Sequence, residues 1–366
     1  MTGSGSTERS WRARGAAGAW RWHHRIGLLL ALPLLGISLS GALLVRYDWV
    51  ERVGDPRVFR GAPATNALPL HLLLARLADR FPEISPRFVE RPGDPWRNVV
   101  VSLHGPEAGR TVIADAVTGE VLVDRDEGAG PRRWLLRLHD RLHAGVVGEW
   151  VVALSAAALL ASAVTGLWIH RGALRSLRRL PRFRGIGVRQ ALREAHTWTG
   201  TVAAVFLALW GLTGMLLTWP SLPATWSPPV AAPPRPVPVD WHSTRPIEPM
   251  IAAACQALPG GEADFLVLPR TAAGEFSLTL LDRDRWWWCK FDEAVWHPGE
   301  NALKPVRRGA DASLPERVNA LVAILHFGHL GHPLVRWMYL MAGFAPALLA
   351  VTGLAIWWRR RRRSTP

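Results

Sequence analysis

Four of the thirteen histidines in this 366-residue chain recur at matched offsets. His23 opens His23-x-x-x-Gly27 and His196 opens His196-x-x-x-Gly200, each at the start of an apolar run. Eighteen residues beyond each histidine stands another glycine, Gly41 after Ser40 and Gly214 after Thr213. His139 precedes Gly166 by 27 residues, and His326 precedes Gly353 by the same 27; both glycines follow a threonine, Thr165 and Thr352, and precede a leucine. His24 adjoins His23, His143 lies one turn beyond His139, and His329 about one turn beyond His326, so each pair can share a helix face. Neutral imidazoles are good ligands for iron. Two clusters, one at each end of a helical bundle and each drawn from both halves, suit two bis-imidazole haem sites. Haem iron takes two axial nitrogens on opposite sides of a flat macrocycle, and facing helices can supply them. Gly27 and Gly200 lie one turn above a histidine, and Gly41 and Gly214 five turns above it on the same face. The expectation is that these glycines let a porphyrin plane approach the backbone.

Blander readings compete with this one. A histidine at a helix end is commonly an interfacial polar residue, and small residues in spans commonly serve close helix packing. His170, beside Arg171, fits that description, and His332, before Pro333, is ambiguous; His71, His104, His242 and His297 show no partner spacing. The four repeat-matched histidines are favoured as ligands because chance agreement at two sets of offsets is improbable. The repetition reads as two parallel copies of span, external domain, span.

The elements that would position these residues are spans. Hydrophobic residues make up 49% of the chain and charged ones 20%; mean hydropathy is +0.08, yet the net charge is +15. Both hold together if apolar residues cluster into spans and cations cluster beside them. Segments 26–45, 151–169, 200–219 and 337–358 are long enough to cross about 30 Å of hydrocarbon at about 1.5 Å per residue. The first is too long for a signal-peptide core and is read as an uncleaved anchor. Eighteen arginines in 1–25, 171–196 and 359–366 face only two acids, Glu8 and Glu194, whereas the rest of the chain is near balance. By the positive-inside rule these three segments are cytoplasmic, with both termini inside and the long segments on the periplasmic face of a bacterial inner membrane. Arginines abutting spans are a poor fit to nucleic-acid binding and suit membrane lipid.

The expected organisation is therefore a cytoplasmic flank at 1–25, a transmembrane helix at 26–45, and a periplasmic domain at 46–133. A histidine-bearing segment with the second span follows at 134–170, then a basic connector at 171–196 and a third span at 197–219. A Pro-rich linker with a second periplasmic domain fills 220–318, a histidine-bearing segment with the fourth span fills 319–358, and a basic tail closes 359–366. The fold class is a membrane α-helical four-helix bundle with two small α+β segments. Within the first, residues 70–80 read as a helix, and 96–103, 111–114 and 121–123 as strands with a turn at Thr118-Gly119. The second repeats that order: a helix at 250–258, then strands at 264–268, 275–281 and 286–291. Whether 134–170 is one helix is open; Gly145 and Gly148 are candidate breaks. If it is continuous, His139 stands about 18 Å before residue 151.

Other signals are weaker. Trp286-Trp287-Trp288 is a buried strand face or an aromatic platform. The two cysteines, Cys255 and Cys289, exclude a cysteine-rich metal framework and, in an oxidising compartment, could form a disulfide. No Gly-rich dinucleotide fingerprint, P-loop or nucleophile elbow is present, so no NAD or FAD site is expected in this chain.

On these residues the chain resembles the PepSY-associated transmembrane helix family. The likeness is carried by His23-x-x-x-Gly27, Leu138-His139-x-x-Leu142, Ala195-His196-x-x-x-Gly200, Leu325-His326-x-Gly328 and the Thr-Gly-Leu of spans two and four. The segment Ile113-Ala114-Asp115-Ala116-Val117-Thr118-Gly119-Glu120-Val121 looks like the PepSY Asp-x-x-Thr-Gly turn; Phe291-Asp292 with His297-Pro298-Gly299 echoes it loosely. The family includes iron-regulated membrane proteins and inner-membrane ferric siderophore reductases carrying b-type haem. The resemblance therefore implies two haems and a ferric-chelate reductase, with His23, His139, His196 and His326 as ligands and His24, His143 and His329 as neighbours that could replace them. Some relatives carry a fused flavin and nicotinamide reductase domain; the chain stops at Pro366, so a quinol or a separate reductase is the expected donor. Non-catalytic metal binding or regulation of a periplasmic partner is the alternative. A transporter is disfavoured by the lack of intramembrane charge.

Overall fold

The computed structural model describes residues 4–105, 109–170, 181, 183–218, 239–242, 246–258, 260–271, 274–282, 291–296, 304, 311, 313–330 and 332–362. In chain order the described elements are α1 (Ser4–Leu29), α2 (Ala31–Leu44), α3 (Tyr47–Gly54), α4 (Leu70–Arg80), β1 (Ser85–Glu90), β2 (Val99–His104), β3 (Gly109–Ala114) and β4 (Val121–Asp126). They continue with α5 (Pro131–Arg141), α6 (Gly145–Ile169), α7 (Val188–Thr218), α8 (Glu248–Ala257), β5 (Gly261–Val267), β6 (Phe276–Asp282), β7 (Phe291–Trp296), α9 (Leu314–Phe327), α10 (Pro333–Gly343) and α11 (Ala345–Arg361). The chain divides into a helical unit (Met1–Arg46, Leu135–Pro228, Leu325–Pro366) and a sheet unit (Tyr47–Trp134, Pro229–Ile324).

Among the described residues of the helical unit three helices are long and apolar enough to cross a membrane: Gly145–Ile169, Val188–Thr218 and Leu334–Arg361. A fourth span is made if the bent pair Gly15–Leu29 and Ala31–Leu44 counts as one. The chain is thus a multi-pass membrane protein. The first span is not the single straight helix expected over 26–45: it bends by 68° at Leu30. Pro33 explains the bend, because it has no N–H for the Leu29 carbonyl one turn back and its ring crowds that carbonyl. Small residues let the helices meet closely. Ala163, Ala203, Leu207 and Ala345 form a buried cluster, and a methyl added at Gly211 of α7 would sit 2.7 Å from the Leu160 nitrogen of α6. Outward positions such as Leu154 and Val205 are apolar and exposed, as a lipid-facing surface requires.

Segment 134–170 is two helices. α5 stops at Arg141, and Leu142, His143 and Gly145 take positive φ (48°, 55° and 56°). The reversal is stitched by the His143 N–H to the Arg137 carbonyl (3.1 Å) and the Ala144 N–H to the Arg141 carbonyl (2.8 Å). Gly148 allows it: a Cβ there would lie 1.6 Å from the Arg141 carbonyl oxygen. α9 ends comparably, at Gly328 with φ +71°, where the ring of Tyr339 occupies the space a side chain would need. His139 and His326 thus each sit in the last turn of a short helix that stops just before a span.

The sheet unit corrects the expectation of two separate small domains. Its strands form one seven-stranded antiparallel sheet in the order β4-β3-β2-β1-β5-β6-β7. The two halves join at β1 and β5, where Phe88 pairs with Val267, Val89 with Leu266 and Glu90 with Phe265. One face buries Leu73, Leu74 and Leu77 of α4 and Ala254 of α8 against Val89, Val101, Leu266 and Leu278. The alternation of apolar and polar residues located β2 to β6, but β1 was missed. Its sequence, Ser85-Pro86-Arg87-Phe88-Val89-Glu90, buries Pro86 and Arg87 as well as Val89, so no period-two pattern shows. The strand expected over 286–291 lies, apart from residue 291, outside the described residues; the strand described is β7. Trp286 to Trp288, Cys289 and His297 lie outside them too.

The Asp115 turn has the form its sequence implies. Asp115 Oδ1 accepts from the backbone N–H of Val117 (2.8 Å) and Thr118 (2.9 Å), Arg60 donates to Oδ2 (2.9 Å), and Gly119 has φ +72°. Burial disfavours the Asp115 carboxylate, but the two backbone donors and Arg60 outweigh it and hold the group below its usual range.

Candidate functional site

The helical unit brings the four repeat-matched histidines together as two pairs. His23 of α1 and His196 of α7 have ring centroids 6.2 Å apart with planes at 90°. His139 of α5 and His326 of α9 have centroids 6.0 Å apart with planes at 55°. Each pair takes one member from each half of the sequence.

Every one of these rings is seated on a glycine of a different helix. A methyl group built at Gly41 would lie 2.6 Å from Cε1 of His139; at Gly166, 3.3 Å from His23; at Gly214, 3.4 Å from His326; and at Gly353, 3.5 Å from His196. The 18-residue spacing was read as clearing a macrocycle beside the histidine of the same helix. Gly41 and Gly214 instead seat the imidazoles of the opposite pair.

The hydrogen bonds set the tautomer. His23 Nδ1 meets Thr165 Oγ1 at 3.2 Å, His196 Nδ1 meets Thr352 Oγ1 at 2.9 Å, and His326 Nδ1 meets Thr213 Oγ1 at 2.9 Å. Each of those hydroxyls already donates its only proton to a carbonyl one turn back in its own helix: Thr165 to Ala161 (2.6 Å), Thr352 to Leu348 (2.7 Å), Thr213 to Leu209 (2.7 Å). The threonine can then only accept, so the histidine must donate from Nδ1. His139 Nδ1 donates to the Ile37 carbonyl at 2.8 Å, an acceptor by nature. All four rings are therefore placed to donate from Nδ1, which in the neutral imidazole leaves Nε2 with its lone pair. This is the arrangement that orients an imidazole for a metal and raises its basicity.

Three supports were not foreseen. The threonines look in sequence like packing residues, although a Thr before Gly three times over was a usable signal. The Ile37 carbonyl carries no signal in side-chain identity. Trp210 Nε1 donates to the His326 carbonyl (3.2 Å) and Tyr339 Oη to the Leu325 carbonyl (2.8 Å). These two donors satisfy carbonyls that the end of α9 leaves without helical partners, and so fix the turn carrying His326. Phe206 packs edge-on to Tyr339 at 5.4 Å and completes an aromatic cluster with Trp210.

The His23–His196 pair opens on a cavity of about 350 Å³ lined by Gly27, Leu159, Gly166, Gly200, Leu349 and Gly353 among others. That volume is in the range of small-molecule sites. None of the remaining described histidines joins either pair, although His170 also lines this cavity. His24 stacks on Trp20 (centroids 5.3 Å apart) and lines the same cavity. His143 is exposed in the α5–α6 reversal, and His329 lies beyond α9 against Phe327. His71 faces Glu248, His104 faces Glu127, and His242 pairs with Asp79 at 2.8 Å, all in the sheet unit. His332 caps α10 by accepting from the Leu334 N–H. Among the described residues no three His, Cys, Asp or Glu side chains converge to hold a metal ion.

Fold and site together define a multi-pass membrane protein with paired, pre-oriented imidazoles between its helices. The chain belongs to the PepSY-associated TM region family, whose profile matches residues 20–360. It is also similar to an uncharacterized protein of Pseudomonas aeruginosa, 28% identical over 250 residues, which is 62% of this chain. The match spans 63% of that relative's length, a little under two thirds.

Proposed function

We propose that the protein is an electron-transfer protein of the bacterial inner membrane that holds two b-type haems and reduces a ferric siderophore or another iron chelate on the periplasmic side. The helices are then a four-helix bundle of two parallel repeats, with both termini and the arginine-rich segments in the cytoplasm. One observation carries the reading: four imidazoles in two facing pairs, each placed to donate from Nδ1 to its partner, which in the neutral ring leaves Nε2 free.

The spacing fits. Two imidazoles holding one metal from opposite sides, with bonds of about 2.0 Å and ring centres about 1.2 Å behind the nitrogens, would have centroids about 6.4 Å apart; the pairs stand at 6.2 and 6.0 Å. Two imidazoles with no third protein ligand among the described residues make a poor site for a bare zinc or copper ion, which takes three or four. They suit a metal that arrives with four in-plane nitrogens of its own. When bound, haem supplies a one-electron couple near each face of the membrane. The chain's own part is to fix the rings: glycine seats let them approach, threonine and carbonyl acceptors hold Nδ1, and Trp210 and Tyr339 hold the turn bearing His326. Electrons from a quinol or a separate cytoplasmic reductase would enter at the His23–His196 end and leave at the His139–His326 end toward the chelate.

The test is the visible spectrum of the purified protein. A low-spin Soret and α band that sharpens on dithionite reduction, with two haems per chain by pyridine haemochrome, is the expected result. A colourless protein from haem-sufficient cells, holding stoichiometric copper or zinc by elemental analysis, would refute it in favour of non-redox metal binding.

A further inference from the structure

The cavity at His23–His196 has a lining of two kinds. Much of it is apolar, including Leu28, Leu34, Leu159 and Leu349. Arg193 and Arg360 also line it, and no acidic side chain is among its lining residues. Helix geometry puts both cations on one side of the pair. Arg193 precedes His196 by three residues on α7, so it lies on the same face, one turn nearer the basic connector. Arg360 follows Gly353, the seat of His196, by seven residues on α11, which is two turns along the same face. Trp20 lies one turn before His23 on α1 and orients Arg360, whose Cζ sits 5.4 Å over the indole centroid. Three helices thus bring one aromatic and two cations to the lining of one cavity.

A flat apolar body with anions on one edge is what such a cavity takes. We propose that Arg193 and Arg360 bind the two carboxylates of the macrocycle held by His23 and His196, fixing its rotation about the axis between the imidazoles. This rests on the two-haem reading above and adds the recognition of the ligand's acidic edge. Guanidinium–carboxylate pairing is charge-assisted and can be bidentate, so it contributes orientation as well as affinity. It also selects the free diacid over any esterified or carboxylate-free porphyrin.

The experiment titrates haem-depleted full-length protein, in detergent, with haem b and with haem b dimethyl ester, following the Soret band. The relevant equivalent is the one whose absorbance is missing in His196→Ala. Wild type is expected to bind the diacid at that site at least tenfold more tightly than the ester. Arg193→Gln with Arg360→Gln should weaken the diacid by about tenfold or more and leave it no better than the ester. Arg→Lys at both positions should recover part of the preference, which a merely structural role would not predict. The proposal is overturned if wild type takes the ester equally well at this site. It is overturned likewise if a monodisperse double Gln variant keeps the full diacid preference, or changes only in the anionic lipid that co-purifies. If wild type binds neither compound, it is the haem reading that has failed.

Discussion

His139 lies against the bare backbone of Gly41: a methyl group there would be 2.6 Å from its Cε1 and 2.9 Å from its Nδ1. The same ring donates to the Ile37 carbonyl at 2.8 Å, so it cannot step aside without losing that hydrogen bond. Gly41→Ala should therefore expel His139 from its pair and cost one of the two proposed haems, read as haem per chain by pyridine haemochrome. Gly353→Ala is the graded control. Its added methyl would meet His196 at 3.5 Å, an ordinary contact, and should leave the haem content unchanged. Equal loss from both variants would mean that glycine acts at these positions through helix packing and not as a seat.

Thr213 and Thr352 accept from Nδ1 of His326 and His196. An Nδ1–H···O bond pushes electron density toward Nε2 and favours the ferric state. Thr213→Val or Thr352→Val keeps the shape and removes the acceptor. The midpoint potential of one haem should rise by some tens of millivolts, since a tenfold change in relative affinity is about 59 mV for one electron. Haem affinity should fall about 10- to 100-fold at that site. A redox titration with no displaced component would rule out this role for the hydroxyls.

Gly148 faces the Arg141 carbonyl at 1.6 Å from where its Cβ would stand. Gly148→Ala must push α5 away from the start of α6, and a loss of about 3 kcal/mol is expected. Because α5 carries His139, thermal inactivation in detergent and the signal of the haem proposed at His139 should decline together. A variant with wild-type melting would show that the reversal is softer than the geometry implies.

Asp115 is held below the ordinary carboxylate range. A lowered native pKa means that the group's contribution to stability is fully present above its unfolded value of about 4 and is lost as pH falls through the lowered native value. Asp115→Asn should lower the melting temperature at neutral pH and flatten its fall below about pH 4. Parallel acid profiles for the two proteins would exclude this carboxylate from the acid response.

What the sequence could reveal depended on whether the signal was local. Apolar runs about 20 residues long announce spans by length alone, but a bend needs one residue to be weighed against its neighbour a turn back. Pro33 was visible, and its effect on Leu29 was not drawn. The histidine offsets singled out the four residues whose rings the structure brings together in two pairs. That Gly41 seats a ring was not legible because Gly41 and His139 are 98 residues apart, and only packing reveals that they touch. The α5–α6 reversal rests on left-handed backbone at Leu142 and His143, residue types that do not advertise it. β1 escaped notice because Arg87 is buried by its bond to the Leu268 carbonyl (2.8 Å), 181 residues away.

The seam between β1 and β5 bears on ancestry. A half-length forebear, with two spans and four strands, would have exposed β1 as an unpaired edge and owned only one imidazole of each pair. Two copies related by a dyad would have cured both defects at once, since an antiparallel edge is self-complementary. Joined end to end in one polypeptide, such copies would have been free to diverge, and Ile37 and Thr213 do hold the rings of His139 and His326 by different chemistry.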